Sequence, residues 1–191
     1  MIEVVTIIAT RERSASLPKA LDSVLRQSLK PSKIIVLGET EEDFAIDPVV
    51  VSNSSPEVVQ LINHRTRNLS GALNTALLHL LSIGIDEEET FVAFLDDDDR
   101  WESNYLERGV ACVTADASDL VVSGIIRHET GGDSLGRKQS IPAELNSSSF
   151  LATNPHIQGS NLFVRLSCLL KAGGFDENLE STTDRDVCIR L

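Results

Sequence analysis

A continuous run of mostly β-branched residues near the start of the chain constrains the fold more than any other feature. Val4 to Ala9 show no alternation between polar and apolar side chains, which is the pattern of a central strand buried on both faces of a parallel sheet. A polar loop follows, and helically spaced apolar residues then run from Leu17 to Leu25. Ser16 is a candidate N-cap for this helix, and Pro18 falls in its first turn. The chain therefore opens with a strand, a loop and a helix.

The alternation of strands and helices continues along the chain. Further strands are predicted at residues 33–37, 49–51, 90–95, 120–122 and 162–164. Further helices are predicted at residues 70–84, 105–113, 166–172 and from 182 onward. Residues 127–149 show no periodicity, and we expect a long loop or an irregular hairpin there. The pattern predicts a three-layer α/β/α fold around a mostly parallel sheet.

Composition and charge narrow the function. The chain has 191 residues, of which 41% are hydrophobic, as is normal for one globular domain. Its 17 basic and 29 acidic residues give a net charge of −12, which opposes binding to nucleic acid. A protein this acidic that handles a phosphorylated small molecule must offset the repulsion locally, with a metal, a few arginines or helix N-termini.

The sequence also carries signals about location and completeness. No apolar run approaches the roughly 18 residues needed to span a bilayer, and the first residues do not resemble a secretory signal. We therefore expect a cytoplasmic protein, and the sequence leaves open a peripheral association with the inner face of the membrane. The last predicted helix stops abruptly at Leu191, so we expect the chain to be truncated at its C-terminus.

Four successive aspartates, Asp96 to Asp99, follow the strand predicted at 90–95. In open α/β sheets ligands bind at the carboxyl ends of the strands, so this run should share a crevice with the residues after Ala9 and Leu37. Adjacent carboxylates repel one another unless solvent or a cation relieves them. Carboxylate oxygens suit Mg²⁺ or Mn²⁺. The alternative is a solvated turn in which an aspartate caps the next helix.

Three segments of the chain together resemble one known family. They are Val5–Thr10 followed by Leu21–Ser28, Phe94–Trp101 followed by Tyr105–Glu107, and Gly173–Glu177 followed by Thr183–Asp186. In order and spacing they resemble the family 2 glycosyltransferases with the GT-A fold, over nearly the whole chain. The resemblance implies a single GT-A domain, in which residues 1–100 form the nucleotide-binding half and residues 101–191 the acceptor and catalytic half.

The same resemblance implies roles for the acidic run. Asp96 and Asp98 match the family's Asp-x-Asp element, which implies Asp98 as the direct ligand of Mn²⁺ or Mg²⁺. Asp96 is then a second candidate ligand that lies nearer the ribose of a bound nucleotide. Asp97 is a candidate contact to the nucleoside, and Asp99 is expected to be structural.

Other residues are implied at the nucleotide. Base and ribose would be held by Thr10, Arg11, Arg13 and Glu39. The chain reads Gly38-Glu39 where the family usually has a pair of aspartates, so the base stays open, with a UDP-sugar the favoured donor. Asn68, Gly71 and Asn74 match a segment where a helix N-terminus lies beside the nucleotide. Leu73 replaces the usual arginine there, and Arg65 or Arg67 is a candidate substitute. The alternative is that Asn68 and Ser70 only cap the helix.

The family resemblance further implies direct displacement with inversion at the sugar. Asp184 is the implied general base, with Asp186 as a competitor, because Thr183 stands where the family often has a glutamate. Gln158, Gly159 and Asn161 are implied near the donor sugar and the acceptor. The acceptor hydroxyl belongs to a glycan, a lipid-linked sugar or a small molecule, and association into a homodimer is left open.

Two rival functions remain at this point. A nucleotidyltransferase also uses a metal and an α/β sheet, but its loop after the first strand is usually rich in glycine, whereas residues 10–14 contain none. A catalytically degenerate domain that binds a sugar or a nucleotide is the second rival, because Glu39, Leu73 and Thr183 depart from the family pattern.

Overall fold

The computed structural model describes residues 2–13, 15–44, 55–128, 136–142, 146–152 and 155–191. The strands are β1 (Glu3–Ala9), β2 (Lys33–Gly38), β3 (Glu57–Ile62), β4 (Thr90–Asp96), β5 (Leu120–Val122), β6 (Ile125–Arg127), β7 (Arg137–Gln139) and β8 (Leu162–Arg165). The α-helices are α1 (Leu17–Leu25), α2 (Leu69–Ser82), α3 (Tyr105–Asp116), α4 (Ser147–Ala152), α5 (Leu166–Lys171) and α6 (Thr183–Arg190). Short 3₁₀ helices lie at Glu41–Asp43 and Gly159–Asn161.

Six of these strands form one twisted sheet in the order β3-β2-β1-β4-β8-β5. β1 lies in the middle and pairs in parallel with both β2 and β4. β8 runs antiparallel between β4 and β5. The mostly parallel sheet predicted from the sequence is confirmed.

Helices cover both faces of the sheet because successive side chains on each buried strand point to opposite faces. One face packs against α2, α5 and α6, and its core includes Ile7, Phe94 and Leu80. The other face packs against α1 and α3. There Phe91 stacks on Phe163, with ring centroids 5.2 Å apart. Full burial of one such side chain stabilises the fold by about 1.5–3 kcal/mol. The result is the predicted three-layer arrangement.

The structure differs from the sequence-based expectation in several local features. The third strand lies at Glu57–Ile62, and the strand predicted at 49–51 falls outside the described residues. Within residues 127–149, predicted as a loop or an irregular hairpin, β7 pairs antiparallel with β6 as a two-stranded ribbon. Ser16 occupies the N-cap position of α1, but its hydroxyl donates to the carbonyl of Arg13 and caps no helical N–H.

None of the helices in the described ranges combines the length and the apolar character needed to cross a membrane.

Candidate functional site

The candidate site lies where β1, β2 and β4 end. Ala9 is in register with Leu37 on one side and with Asp96 on the other, so the loops that follow these strands begin at the same edge of the sheet. A cavity of about 190 Å³ opens beside this edge. Ala9, Leu73, Phe94, Asp96, Gly159 and Asp184 are among the residues that line it. The lining residues come from β1, α2, β4 and later segments, and none of them lies on β2 or on the loop that follows it, so the cavity opens on only part of the predicted crevice.

Asp96 is a carboxylate whose surroundings disfavour its ionised form. Burial raises its pKa from 3.8 to about 6, and the charges of Asp99, Asp98 and Asp184 add to the shift. A hydrogen bond with Ser160 acts in the opposite direction but is too weak to cancel it. A mostly buried carboxylate among like charges is electrostatically unfavourable when ionised, and a bound cation would relieve it.

The other three aspartates have different surroundings. Asp97 is only 4% exposed, accepts a hydrogen bond of 2.7 Å from Thr10 Oγ1, and lies 3.4 Å from Arg13 Nη1. Asp98 is half exposed and its Oδ2 lies 2.5 Å from the same Nη1. Asp99 accepts from Gln158 Nε2 at 3.2 Å. Asp97 and Asp99 thus bond to neighbouring loops, whereas Asp98 is half exposed and pairs with Arg13.

Asp96 and Asp98 are chemically suited to a hard divalent cation. Within the ranges that the structure describes, no three His, Cys, Asp or Glu side chains converge as a complete metal cluster. A cluster of that size is not required, because Mg²⁺ is usually bound through one or two carboxylates, with water and substrate phosphates completing its shell. The residues therefore fit a cation that is shared with a phosphorylated ligand.

Asp184 comes from the far end of the chain and lies in the first turn of α6, where it lines the same cavity. Burial raises its pKa, although hydrogen bonds from the backbone N–H groups of Arg185 and of Asp184 itself, with the Arg185 charge, partly offset the effect. Asp186 instead pairs with Arg190, with Oδ2 and Nη2 2.6 Å apart. The structure thus brings Asp184, and not Asp186, together with Asp96.

The loops after β1 and β2 are held together by Asp43, which the sequence analysis did not single out. Its carboxylate is buried and accepts from the backbone N–H groups of Glu12 at 2.6 Å, Glu39 at 2.9 Å and Thr40 at 3.0 Å. Burial acts to raise the pKa of Asp43, but these hydrogen bonds outweigh it and the pKa is lowered. The Thr40-x-x-Asp43 spacing of a capping box was the signal that could have identified it.

The remaining predicted base and ribose residues lie around this junction. Glu39 Oε1 accepts from Asn63 Nδ2 at 3.0 Å, and Arg67 Nε lies 3.9 Å from Glu39 Oε2. Arg11 is exposed, with its Nε 3.9 Å from Glu12 Oε1. These side chains surround the end of β2 and leave Arg11 and Arg67 free to reorient toward a ligand.

At the N-terminus of α2, Asn68 Oδ1 caps the helix by accepting from Gly71 N at 2.8 Å. The capping alternative is therefore present in the structure. Gly71 cannot be replaced without a shift of the backbone, because a Cβ there would lie 2.0 Å from the carbonyl oxygen of Thr66. Asn74 bonds to the backbone of Phe175 through both its Nδ2 and its Oδ1.

Gln158, Gly159 and Asn161 form the short 3₁₀ turn that precedes β8. Gly159 faces the acidic run, since a Cβ there would lie 3.3 Å from Asp96 Oδ1. Asn161 is 1% exposed, and its Nδ2 donates to the carbonyls of Ser123 and His156. Asn161 therefore shapes the turn, while Gly159 leaves open space beside Asp96.

Comparison with known proteins identifies the family and the fold. The sequence model described as glycosyl transferase family 2 matches residues 5–170. No curated protein matches the chain. Among solved structures, TarS 1–349 of S. aureus in complex with UDP is similar with a TM-score of 0.71 and 19% identity, covering 97% of this chain and 54% of that one. The same TarS fragment with UDP-GlcNAc gives a TM-score of 0.69 and 18% identity, covering 99% and 53%.

A second similar protein is the mannosyltransferase PcManGT from Pyrobaculum calidifontis in complex with GDP-Man and Mn²⁺. Its TM-score is 0.66 and its identity 18%, with 97% of this chain and 50% of that chain covered. The chain thus spans about half the length of these solved structures. Their identities are too low to show more than a shared fold, and that fold is GT-A. Because the family's sequence model extends over most of the chain, the protein belongs to glycosyl transferase family 2.

Proposed function

We propose that this chain binds a nucleotide-diphospho-sugar and transfers the sugar to an acceptor hydroxyl with inversion. The observation that carries the proposal is the cavity at the end of β4, which both Asp96 and Asp184 line. One carboxylate at the phosphate side and a second at the acceptor side are what such a displacement needs. Residues 1–100 then hold the nucleotide, and residues 101–191 supply the base and the acceptor side.

The donor in this proposal is a UDP-sugar. Thr10, Arg11, Arg13 and Glu39 surround the base and ribose, with Asp96 and Asp97 beneath them. Asn68, Gly71 and Asn74 contribute through the helix N-terminus that they build next to this site. The complexes of the similar proteins with UDP, UDP-GlcNAc and GDP-Man support the nucleotide-sugar class. The choice of uridine is our own inference.

Asp98 and Asp96 would hold the cation, Mn²⁺ or Mg²⁺. When bound, such a cation supplies Lewis-acid stabilisation of the departing diphosphate. The Mn²⁺ in the PcManGT complex supports this assignment. Arg13 pairs with both Asp97 and Asp98, and its side chain is more than half exposed. In this proposal its guanidinium also contacts the negatively charged diphosphate.

The acceptor oxygen attacks the anomeric carbon while the bond from that carbon to the diphosphate oxygen breaks, which inverts the configuration. Asp184 takes the hydroxyl proton during the attack. A raised pKa makes this carboxylate a stronger base than an exposed aspartate. The open space at Gly159 leaves room for the sugar beside Asp96, and Gln158 and Asn161 hold the wall of that space.

A donor panel tests the proposal. The protein is incubated with UDP-, GDP-, dTDP- and CDP-sugars and Mn²⁺ or Mg²⁺, and released nucleotide is measured with and without EDTA. We expect release from a UDP-sugar that EDTA abolishes. Release that is indifferent to EDTA would remove the cation from the proposal. Nucleotide binding without any release would favour the degenerate binding domain, and pyrophosphate as product would favour a nucleotidyltransferase.

A further inference from the structure

Glu177 is the most densely bonded carboxylate near the cavity, yet it does not line it. Its carboxylate accepts hydrogen bonds from Arg65 Nε, from Thr66 Oγ1 at 2.6 Å and from Asn74 Nδ2 at 2.8 Å. All three donors come from one stretch, residues 65–74, which includes the start of α2. The side chain is 17% exposed, with its Asn74 contact partly buried and its Arg65 and Thr66 contacts at the surface.

Two asparagines complete the same junction. Asn74 Oδ1 accepts from Phe175 N at 2.9 Å and its Nδ2 donates to Phe175 O at 2.8 Å. Asn68 Nδ2 donates to Glu177 O at 2.8 Å. We call the set Arg65, Thr66, Asn68, Asn74 and Glu177 the Glu177 clamp. It joins residues 175–177 to the loop before α2 through side chains that are more than 100 positions apart in the sequence.

The preceding glycine makes this close approach feasible. Gly174 has a φ of 71°, and a Cβ at this position would lie 2.6 Å from Asn74 Oδ1. Any other residue would have to displace Asn74 from its two bonds to Phe175 and adopt a left-handed backbone. Both Gly174 and Asn74 thus adopt the conformations that the Glu177 clamp requires.

Residues 179–184, which include Asp184, line the cavity immediately after the clamp. Between Glu177 and the start of α6 at Thr183, the chain forms no helix or strand. The segment therefore depends on its two ends for its position. At the far end, Val187 is buried and Arg185 Nη2 donates to Phe150 O. At the near end, the Glu177 clamp provides the attachment.

We propose that Glu177 is a positioning residue, which fixes the segment carrying Asp184 against the nucleotide side of the site. In this arrangement Asn68 and Asn74 influence the reaction through Glu177, without touching the donor. The catalytic part of the inference rests on the proposed glycosyl transfer; the anchoring part does not. Hydrogen bonds from Asn74, Thr66 and Arg65 outweigh the effect of burial and lower the pKa of Glu177 to about 2, consistent with a permanently ionised anchor.

Hydrogen exchange tests the anchoring without any substrate. Glu177→Gln keeps the shape of the side chain and removes its charge. We expect amide exchange across residues 178–186 to rise about 10-fold or more as this segment opens locally. Glu88→Gln is the matched control. Glu88 also accepts hydrogen bonds, from Ser167 Oγ at 3.0 Å and Lys171 Nζ at 3.2 Å, but it precedes the start of β4, at the end of the strand opposite to the cavity. Unchanged exchange at 178–186 in Glu177→Gln, or an equal rise in Glu88→Gln, would overturn the proposal.

Kinetics test the consequence for the reaction. A displaced Asp184 should lower kcat by about 10- to 100-fold, whereas the Kd for UDP should stay within about 2-fold because no donor contact is lost. Arg65→Lys should retain more of kcat than Arg65→Ala, and both serve if Glu177→Gln does not fold. If Glu177→Gln raises the Kd for UDP by the same factor by which it lowers kcat, Asn68 and Asn74 contact the donor directly. That result would overturn the proposal. If wild-type protein turns over no donor, the proposed function fails, while hydrogen exchange still decides the anchoring.

Discussion

Two acidic features of this protein differ in their surroundings. One is the acidic run at the end of β4, and the other is the single side chain of Glu177 beside α2. Asp96 is mostly buried among the charges of Asp98, Asp99 and Asp184, which helps to raise its pKa to about 6. Glu177 is also largely buried, but it faces Arg65, Thr66 and Asn74, which lower its pKa to about 2. Burial alone would shift both in the same direction. The like charges around Asp96 and the hydrogen-bond donors around Glu177 produce the difference.

The contrast separates a binding site from a scaffold. A carboxylate whose donors are all supplied by the protein stabilises the fold and has little to offer a ligand. A carboxylate left among like charges costs stability, which a cation or a substrate would restore. We therefore assign the end of β4 to ligand binding and Glu177 to positioning. Substitutions at the end of β4 and at Glu177 test this assignment of ligand binding and positioning.

The largest effect is expected at Asp184. Asp184→Asn removes the proposed proton acceptor while keeping the size of the side chain, and we expect transfer to fall by about 10²- to 10⁴-fold. The Kd for the donor nucleotide should stay nearly unchanged, as measured by titration calorimetry. Asp186→Asn is the control, because Asp186 pairs with Arg190. Comparable loss in both variants would mean that Asp184 has no special role.

A smaller effect of opposite sign is expected for stability at Asp96. Asp96→Asn removes a buried charge that its neighbours disfavour, and without metal we expect the free energy of unfolding to rise by about 1–3 kcal/mol. The gain should be full above pH 6, where folded Asp96 is ionised, and disappear toward pH 3.8. Denaturant unfolding in EDTA measures it. A loss of stability at neutral pH would contradict the view that this carboxylate is strained.

The smallest effect is the pH dependence contributed by Glu177. Its folded pKa lies below the ordinary 4.5, so its contribution is present above pH 4.5 and is lost as the pH falls through about 2. Wild type should therefore exceed Glu177→Gln in Tm at neutral pH, and the gap should narrow as the pH falls below 4.5. Thermal melts across this range measure the gap. A gap that stays constant with pH would show that charge at Glu177 is not what stabilises the junction.

The central sheet and the acidic run could be predicted from the sequence because each rests on a local pattern. Val4 to Ala9 and the strand before Asp96 are runs of β-branched and apolar residues without polar alternation. Such runs are typical of buried strands. β3 was missed because it is a half-exposed edge strand in which only Val58 is fully buried. The antiparallel direction of β8 leaves no trace in its side chains, since a fully buried strand has the same pattern in either direction.

The scaffold around the site was harder to predict. Asn68 is a polar residue at a helix start, which is equally typical of a cap and of a nucleotide contact, and Asn74 lies further along the same helix. Their bonds to residues 175–177 join positions more than 100 residues apart, and such a pairing follows only from the fold. The resemblance favoured Asp184 and left Asp186 as a competitor; the position of Asp184 at the cavity and the pairing of Asp186 with Arg190 likewise follow only from the fold.

Titration of UDP into the protein tests the central claim most directly, namely that the end of β4 binds a cation together with a nucleotide. Calorimetry is performed with Mn²⁺ and with EDTA, on wild type and on Asp98→Asn. We expect wild type to bind UDP at least about 10-fold more tightly with Mn²⁺, and Asp98→Asn to lose most of that gain. Equal affinity in Mn²⁺ and EDTA, or an unchanged gain in Asp98→Asn, would contradict the account.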